Sequence, residues 1–206
     1  MGNDISCPLC SEAHVDQSAY SYLLGLYLGD GCLSRQSPRS WKLRIVQDAK
    51  YPGLVALCAE AMGRVIGAEK VRYVDRGSFI EIHSSWRHWL CLFPQHGPGA
   101  KHTRQIAFND WQVVQLTGKE KNLVSGLIHS DGSHHLNRVV RSTKSGDKVY
   151  QYPRYQFMNR SNDIRQIFTE ALDTLGVSWT VGGHMTISVA RRNDVAFLDS
   201  FVANKD

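Results

Sequence analysis

The sequence predicts an α+β protein built from two similar halves, and three observations lead to this class. An apolar helical stretch that ends in Asp-Gly occurs twice, at Asp30-Gly31 and at Asp131-Gly132 of the 206-residue chain. The pattern after each copy gives the same order of elements: strand, strand, helix, strand, strand, helix. Residues 41–47 alternate apolar and basic side chains, which is typical of a strand with one buried face. We therefore predict a pseudo-twofold duplication of an αββαββα repeat.

Composition limits the possible classes of protein. Hydrophobic residues make up 42% of the chain, enough for a sizeable core, yet no run of 18 apolar residues suggests a membrane span. The start of the chain lacks the basic and apolar segments of a signal peptide. Five cysteines, an odd number, are typical of reduced thiols in an intracellular protein of cytoplasm or nucleoid, with an organellar origin left open. The net charge of +5 is consistent with a polyanionic partner.

Residues 1–17 are polar and lack periodicity, so we predict an N-terminal leader. Within it, Cys7-Pro8-Leu9-Cys10 is half of a zinc-ribbon signature, and His14 is a possible third ligand. No second CxxC follows, so a tetrahedral site cannot be completed locally. This favours the remnant of a zinc knuckle, or a flexible leader, and leaves zinc binding at Cys7 and Cys10 open.

The first repeat is assigned to residues 18–93. Its first helix, 18–31, has Ser18 as the expected N-cap. The hairpin Asp75-Arg76-Gly77 has the turn residues that join two strands. Ser85 is expected to cap a short helix. The predicted elements are the helix 18–31, strands near 32–36 and 41–47, a helix from 52 to about 65, strands at 71–74 and 79–83, and a helix at 86–93.

Residues 94–118 are assigned to a Gly- and Pro-rich linker and residues 119–206 to the second repeat. The predicted elements of the second repeat are a helix at 119–132, strands at 134–142 and 149–158, a helix at 163–175 capped by Asn162, strands at 177–181 and 184–189, and a helix at 193–202. Aligning the two halves places Gln47 on Asn159.

Small residues on the two repeated helices predict how these helices pack. Gly25 and Gly29 on the first, and Ser125 and Gly126 on the second, let two backbones approach closely. Such packing would bring the helix ends together and place Asp30 and Asp131 side by side. A carboxylate at a helix C-terminus is electrostatically unfavourable, so its occurrence in both copies suggests a function. Oxygen-only ligands of this kind suit Mg²⁺.

The two segments, LLGLYLGDG and VSGLIHSDG, resemble the signature helices of LAGLIDADG homing endonucleases (meganucleases) in their single-chain, two-repeat form. The resemblance covers most of residues 18–202 and implies a saddle of two antiparallel β-sheets around two central LAGLIDADG helices. The sixth motif position, acidic in the family, is Leu28 in one copy and His129 in the other. His129 is either an unusual member of the pocket or, as we favour, a polar residue satisfied by a neighbour.

The resemblance implies a site for Mg²⁺-dependent phosphodiester hydrolysis that gives a staggered double-strand break. Asp30 and Asp131 would bind the metal with the backbone carbonyls of Gly29 and Ser130, and Ca²⁺ or Mn²⁺ could substitute for Mg²⁺. Lys101 matches the lysine that the family places near its catalytic pocket, with Lys205 at a similar place in the second half. The two glutamines expected to order the attacking water are Gln47 and Gln156.

The expected partner is double-stranded DNA with a long asymmetric target, bound by a monomer without contact to membranes. Basic and amide side chains on strands can read bases in the major groove, whereas loop bases contact phosphates. The candidates are Arg35, Arg39, Lys42, Arg44, Arg72, Arg76, His135, Asn137, Arg138, Arg141, Lys144 and Arg154. The alternative function is a non-cleaving DNA-binding regulator or RNA maturase, which would not need both aspartates. A zinc-dependent binding module would rest on Cys7 and Cys10 alone.

Overall fold

The computed structural model describes residues 7–11, 14–143 and 146–203. A short helix α1 (Pro8–Ser11) precedes the first repeat. The elements of the first repeat are α2 (Gln17–Gly29), β1 (Cys32–Ser37), β2 (Ser40–Asp48), α3 (Pro52–Ile66), β3 (Arg72–Asp75), β4 (Phe79–Trp86) and α4 (Trp89–Leu92). A 3-10 turn at Lys101–Thr103 and helix α5 (Asp110–Leu116) connect the halves. The elements of the second repeat are α6 (Glu120–Asp131), β5 (Gly132–Thr143), β6 (Gly146–Met158), α7 (Asn162–Thr174), β7 (Thr180–Gly183), β8 (Thr186–Val189) and α8 (Arg192–Asp199).

Each repeat forms one antiparallel sheet of four strands. The strand order is β1-β2-β4-β3 in the first sheet and β5-β6-β8-β7 in the second, so the two halves share one topology. The predicted fold class, an α+β duplication around two central helices, is confirmed. Among the described residues, no helix combines the length and apolar character that crossing a bilayer requires.

The alternation along β2 explains why each sheet has one covered face. Leu43 and Ile45 are fully buried, whereas Arg44 between them is exposed. Helix α3 packs against β2 and β4 on the buried side, so the face that carries Arg44 is left open. This is the arrangement predicted from the period of two residues.

The central helices α2 and α6 cross at two glycines. A Cβ atom added at Gly25 would lie 2.5 Å from the carbonyl oxygen of Leu123, and one added at Gly126 would lie 2.2 Å from that of Tyr22. Any larger residue would therefore collide with the backbone of the partner helix. The prediction that small residues permit close packing of these helices is confirmed.

Some predicted helix ends are wrong by a few residues. Asp16, not Ser18, is the N-cap of α2, since its side chain accepts a hydrogen bond of 3.0 Å from the Ala19 N–H. Likewise Ser161, not Asn162, caps α7. Ser85 caps no helix because β4 continues through Trp86, which pairs with Trp41. Pairing with the neighbouring strand therefore outweighs the local cap signal.

The β5–β6 hairpin extends beyond the helices that cover the rest of its sheet. Gly132 pairs with Phe157 at its base, and pairing continues to Thr143 and Gly146. Leu136 is 68% exposed and Val140 51%, although both lie on the face that is buried nearer the base. The outer part of this hairpin is thus a two-stranded ribbon with both faces open. Lys144 and Ser145 lie outside the described residues.

Candidate functional site

The two repeated aspartates end the two central helices. Asp30 is exposed and caps α2, and its backbone N–H donates to the Leu26 carbonyl at 3.1 Å. Asp131 is half-buried at the end of α6. A Cβ atom added at Gly29 would lie 3.0 Å from Asp131 Oδ2. The carboxylate of Asp131 thus lies against the last turn of the opposite helix, one residue from Asp30.

Lys101 lies at the same place, although it belongs to the connection between the halves. Its Nζ donates to the backbone carbonyls of Tyr27, Gly29 (2.8 Å) and Gly31 (2.7 Å). It also lies 4.9 Å from the centre of the Tyr27 ring. The end of α2 therefore holds an ammonium group with its carbonyls, as expected for a helix C-terminus.

Burial and the nearby charges shift the pKa of Lys101 in opposite directions. Burial lowers the pKa of Lys101 to about 8, and the negative charges of Asp131 and Asp30 act in the opposite direction. The nearby Arg104 lowers the pKa further, while Cys32 raises it. Both aspartates are thus close enough to Lys101 to favour its protonated form.

This lowered pKa predicts a pH dependence of folding stability. In the unfolded chain Lys101 binds its proton up to a pH near the ordinary value of 10.5, whereas the folded protein releases it near pH 8. The unfolded state thus binds more protons between these values, so the contribution of Lys101 to the free energy of unfolding rises with pH there. We expect Lys101→Met to remove this rise. Measurement of urea unfolding for both proteins at pH 7 and pH 9.5 tests it, since other titrating groups cancel in the difference. An equal difference in stability at the two pH values would contradict it.

A cavity of about 650 Å³ opens beside this cluster. Asp131 and Lys101 line it, together with residues from the end of α2, the start of β1, the connection between the halves and the segment after β6. Asn159, in the segment after β6, is one of them, and its Nδ2 donates to Asp131 Oδ2 at 2.6 Å. Asn159 was not among the candidate residues. The alignment of the halves, which pairs it with Gln47, was the signal that could have identified it.

The two candidate glutamines occupy different faces of their sheets. Gln47 is buried on the helix side of β2, and its Nε2 has no hydrogen-bond partner among the described residues. Gln156 lies between the buried Tyr155 and Phe157, so it is on the opposite, open face. Asn159 follows the buried Phe157 by two residues, so it continues the helix side of β6. It therefore occupies the position in the second half that Gln47 occupies in the first.

The oxygen atoms in this region suit a hard divalent cation. The carboxylates of Asp30 and Asp131 could hold one. The Gly29 carbonyl, a predicted metal ligand, accepts a hydrogen bond from Lys101. The Ser130 hydroxyl donates to the Gly126 and Leu127 carbonyls of its own helix, so only its backbone could contribute. The residues therefore fit a metal bound mainly by the two carboxylates.

The basic candidates of the first half divide between the two faces of the sheet. Lys42, Arg44 and Arg72 share the open face, since Arg44 and Arg72 both pair with His83 and Lys42 lies two residues before Arg44. Arg35 pairs with Trp41 and lies on the other face, although it is exposed. Arg39 and Arg76 lie in the turns that join β1 to β2 and β3 to β4.

An acidic residue, Glu81, lies among the basic residues of this open face. Glu81 forms a 2.8 Å ion pair with Lys42, and its Oε1 is 3.4 Å from His83 Nδ1. The hydrogen bond from Lys42 holds the pKa of Glu81 below its usual value. Because Lys42 is already paired, Arg44 and Arg72 are the better candidates for contacts with a polyanion.

The second sheet carries a larger open face. The candidates on this face are His135, Asn137, Arg141, Arg154 and Gln156. Arg138 pairs with Gln151 on the opposite face. Arg141 and Arg154 lie over the rings of Tyr150 and Tyr152, at 5.7 and 5.5 Å. The candidate Lys144 lies outside the described residues, as does Lys205.

His129 is buried between the central helices and the C-terminal segment. Its Nδ1 is 2.8 Å from the Tyr22 hydroxyl, and its Nε2 is 3.0 Å from the Ala203 carbonyl oxygen. A carbonyl can only accept, so Nε2 donates and Nδ1 accepts from Tyr22. These two contacts correspond to the favoured interpretation of His129 as a polar residue satisfied by neighbours.

Comparison with known proteins shows that the fold of this chain is similar to those of several solved structures. No protein-family model matches the sequence, and no curated protein matches it. Among solved structures, the LAGLIDADG meganuclease I-AabMI bound to uncleaved DNA aligns with a TM-score of 0.55 and 11% identity, over 88% of this chain and 82% of that one. The homing endonuclease I-WcaI bound to its DNA recognition sequence aligns with the same TM-score and 11% identity, over 92% and 82%.

A third similar structure is full-length DUF199/WhiA from Thermatoga maritima. It aligns with a TM-score of 0.51 and 12% identity, over 97% of this chain but only 59% of that one. At such identities the similarity establishes the LAGLIDADG fold and leaves the activity to be argued from the residues.

Proposed function

We propose that this protein is a site-specific DNA endonuclease that cuts both strands of its target by metal-dependent phosphodiester hydrolysis. The observation that carries the proposal is the meeting of Asp131, Lys101 and the end of α2, which leads into Asp30, beside one cavity. Asp131 and Lys101 line this cavity, whereas Asp30 lies between two lining residues, Gly29 and Gly31, and does not itself line it. Two carboxylates and an ammonium group are the groups that phosphodiester cleavage needs.

Each of these side chains has a distinct task. Asp30 and Asp131 would hold Mg²⁺, which supplies an activated water and neutralises charge on the phosphate when bound. Asn159 fixes the orientation of the Asp131 carboxylate through its 2.6 Å hydrogen bond. Lys101, protonated below a pH of about 8, adds positive charge where the transition state becomes more negative.

Recognition of DNA would use the open faces of both sheets. A β-ribbon can enter the major groove, where arginine reads guanine and asparagine reads adenine. The two faces carry different residues, Arg44 and Arg72 on one and Asn137 and Arg141 on the other, so a single chain would read an asymmetric target. The DNA-bound state of I-AabMI and I-WcaI, which share the fold, supports a duplex as the partner.

Cleavage of a randomised duplex library tests this proposal. We expect cutting at one long site in Mg²⁺, and retention of the same site without cutting in Ca²⁺. A protein that neither cuts nor enriches any sequence would overturn the proposal. Enrichment without cutting in Mg²⁺ would instead support the second candidate, a non-cleaving DNA-binding regulator or RNA maturase. The similarity to WhiA, nearly as high as that to the endonucleases, is the observation that keeps this candidate.

The open face of the first sheet predicts a salt-dependent affinity for DNA. We expect Arg44→Ala to weaken binding and to reduce the slope of log affinity against log salt by about one, because one phosphate or base contact is lost. Arg192→Ala is the control, since this exposed arginine lies at the start of α8, whose helix packs on the covered side. Equal slopes for both variants and the wild type, measured by fluorescence anisotropy, would contradict a role of Arg44 in binding DNA.

A further inference from the structure

Four potential metal ligands meet near the N-terminus, away from the aspartates. Cys7 and Cys10 come from the first described segment, His88 is the N-cap residue of α4, and Cys91 lies within α4. One sulfur or nitrogen atom from each of these four residues lies within 4.8 Å of the others. We propose that Cys7, Cys10, His88 and Cys91 form a structural zinc site.

The measured distances agree with tetrahedral coordination. Sγ of Cys10 is 3.9 Å from Sγ of Cys91, and Nδ1 of His88 is 3.6 Å from Cys10 Sγ and 3.7 Å from Cys91 Sγ. Zinc bonds of about 2.3 Å to sulfur and about 2.0 Å to nitrogen at tetrahedral angles give edges of about 3.8 Å and about 3.6 Å. Cys10, His88 and Cys91 thus already stand at three corners of a site of the right size, and Sγ of Cys7 lies within 4.8 Å of each of them.

Both pairs of ligands lie on the same kind of turn. The Cys10 N–H donates to the Cys7 carbonyl at 3.1 Å, and the Cys91 N–H donates to the His88 carbonyl at 3.0 Å. Each turn presents its first and fourth residues on one side, which is the spacing found in zinc knuckles. CxxC supplies one half of the site, and HxxC supplies the other.

The ligand types favour zinc over the cations that suit the aspartates. Three thiolates and one imidazole form a closed, sulfur-rich set that binds Zn²⁺, whereas Mg²⁺ prefers oxygen. Cys7 is only 1% exposed, and the Trp86 ring packs edge-on against His88 with centroids 5.1 Å apart. Arg87 Nε now donates to His88 Nε2 at 2.7 Å. Coordination through Nδ1 leaves the proton on Nε2, so the exposed Arg87 must release this contact when the metal binds.

The position of the cluster indicates a structural task. Helix α4, which carries Cys91, also packs near the start of α2, where the Tyr20 hydroxyl donates to the Leu92 carbonyl at 2.8 Å. Asp30 lies at the opposite end of α2. A metal here would fasten the N-terminal segment to the first repeat without contact with the cavity. This inference is independent of the proposed nuclease activity.

Metal analysis of the full-length protein tests the site. We expect protein purified from zinc-supplemented cells and dialysed against zinc-free buffer to keep about one zinc per chain. Cys10→Ser and Cys91→Ser should lose it, whereas Cys32→Ser, a change of an exposed cysteine outside the cluster, should keep it. Removing zinc with a chelator should lower the melting temperature of the wild type by at least about 5 °C and leave that of Cys10→Ser unchanged.

A spectroscopic measurement on the wild-type protein tests the site even if the variants fold poorly. Wild-type protein reconstituted with Co²⁺ should show the intense visible absorption of a tetrahedral ion and the charge-transfer bands of thiolate ligands. A weak octahedral spectrum, or equal zinc content in wild type and Cys10→Ser, would overturn the proposal. Because both readouts are independent of DNA, failure here would leave the nuclease hypothesis untouched, and the reverse also holds.

Discussion

Replacing Asp131 with asparagine is expected to lower DNA cleavage at least about 10²-fold while leaving DNA binding nearly unchanged. Asparagine keeps the shape of the side chain and can still accept the hydrogen bond from Asn159, so the fold should persist. The lost negative charge removes one of two carboxylates proposed to hold Mg²⁺ and the largest of the interactions that raise the pKa of Lys101. Cleavage of the selected target under single-turnover conditions, with anisotropy for binding, measures both effects.

Asp30→Asn should behave in the same way, and Asp110→Asn is the matched control. Asp110 is an exposed aspartate in the first turn of α5, outside the cavity. Its variant should cut at the wild-type rate. If Asp30→Asn and Asp131→Asn both cut as fast as Asp110→Asn, the carboxylates have no part in the reaction. If they cut one strand only, each aspartate serves one of two active sites.

The second large effect concerns the crossing of the central helices. Gly25→Ala is expected to lower the free energy of unfolding by about 3 kcal/mol, because its Cβ would lie 2.5 Å from the Leu123 carbonyl oxygen. The contact is with backbone, so no side chain can rotate away, and α2 and α6 must separate. The midpoint of urea unfolding should fall while the slope stays the same.

Gly183→Ala provides the control for this change. A Cβ atom there meets nothing within 4 Å, so the midpoint should shift little. An equal midpoint for Gly25→Ala and Gly183→Ala would mean that the helices do not cross closely. A lower slope for Gly25→Ala would mean that unfolding is no longer a single transition.

The parts of the fold that depend on local periodicity were predictable from the sequence. The small residues of the two central helices predicted their close packing, which the structure shows at Gly25 and Gly126. The alternation on residues 41–47 predicted the covered face of β2. The start of the helix after β4 was less predictable, because a tertiary contact decided it: the pairing of Trp41 with Trp86 extends β4 over the residues expected to begin a helix.

The candidate site shows a similar division. The aspartates and Lys101, which the structure places close together, were proposed from the repeated motif and the resemblance. Three candidates were grouped with side chains that lie on the opposite face of the sheet: Gln156 with Gln47, and Arg35 and Arg138 with the arginines of the open faces. A shift of one residue along a strand is enough to reverse the face. The partners of Cys7 and Cys10 were missed because His88 and Cys91 are distant in sequence, and only the packing of α4 brings them together.

The first hairpin of the second sheet is longer than the first hairpin of the first sheet, so the two halves would extend to different lengths along a bound ligand. Strand β5 has twelve residues and β1 has six, and the outer part of the β5–β6 ribbon is open on both faces. Six further residues at about 3.3 Å each extend the ribbon by about 20 Å, the length of about six base pairs. A duplex bound along both sheets would therefore be covered unevenly about its cleavage point. The two halves share one topology, yet the longer arm would give one flank of such a duplex more contacts than the other.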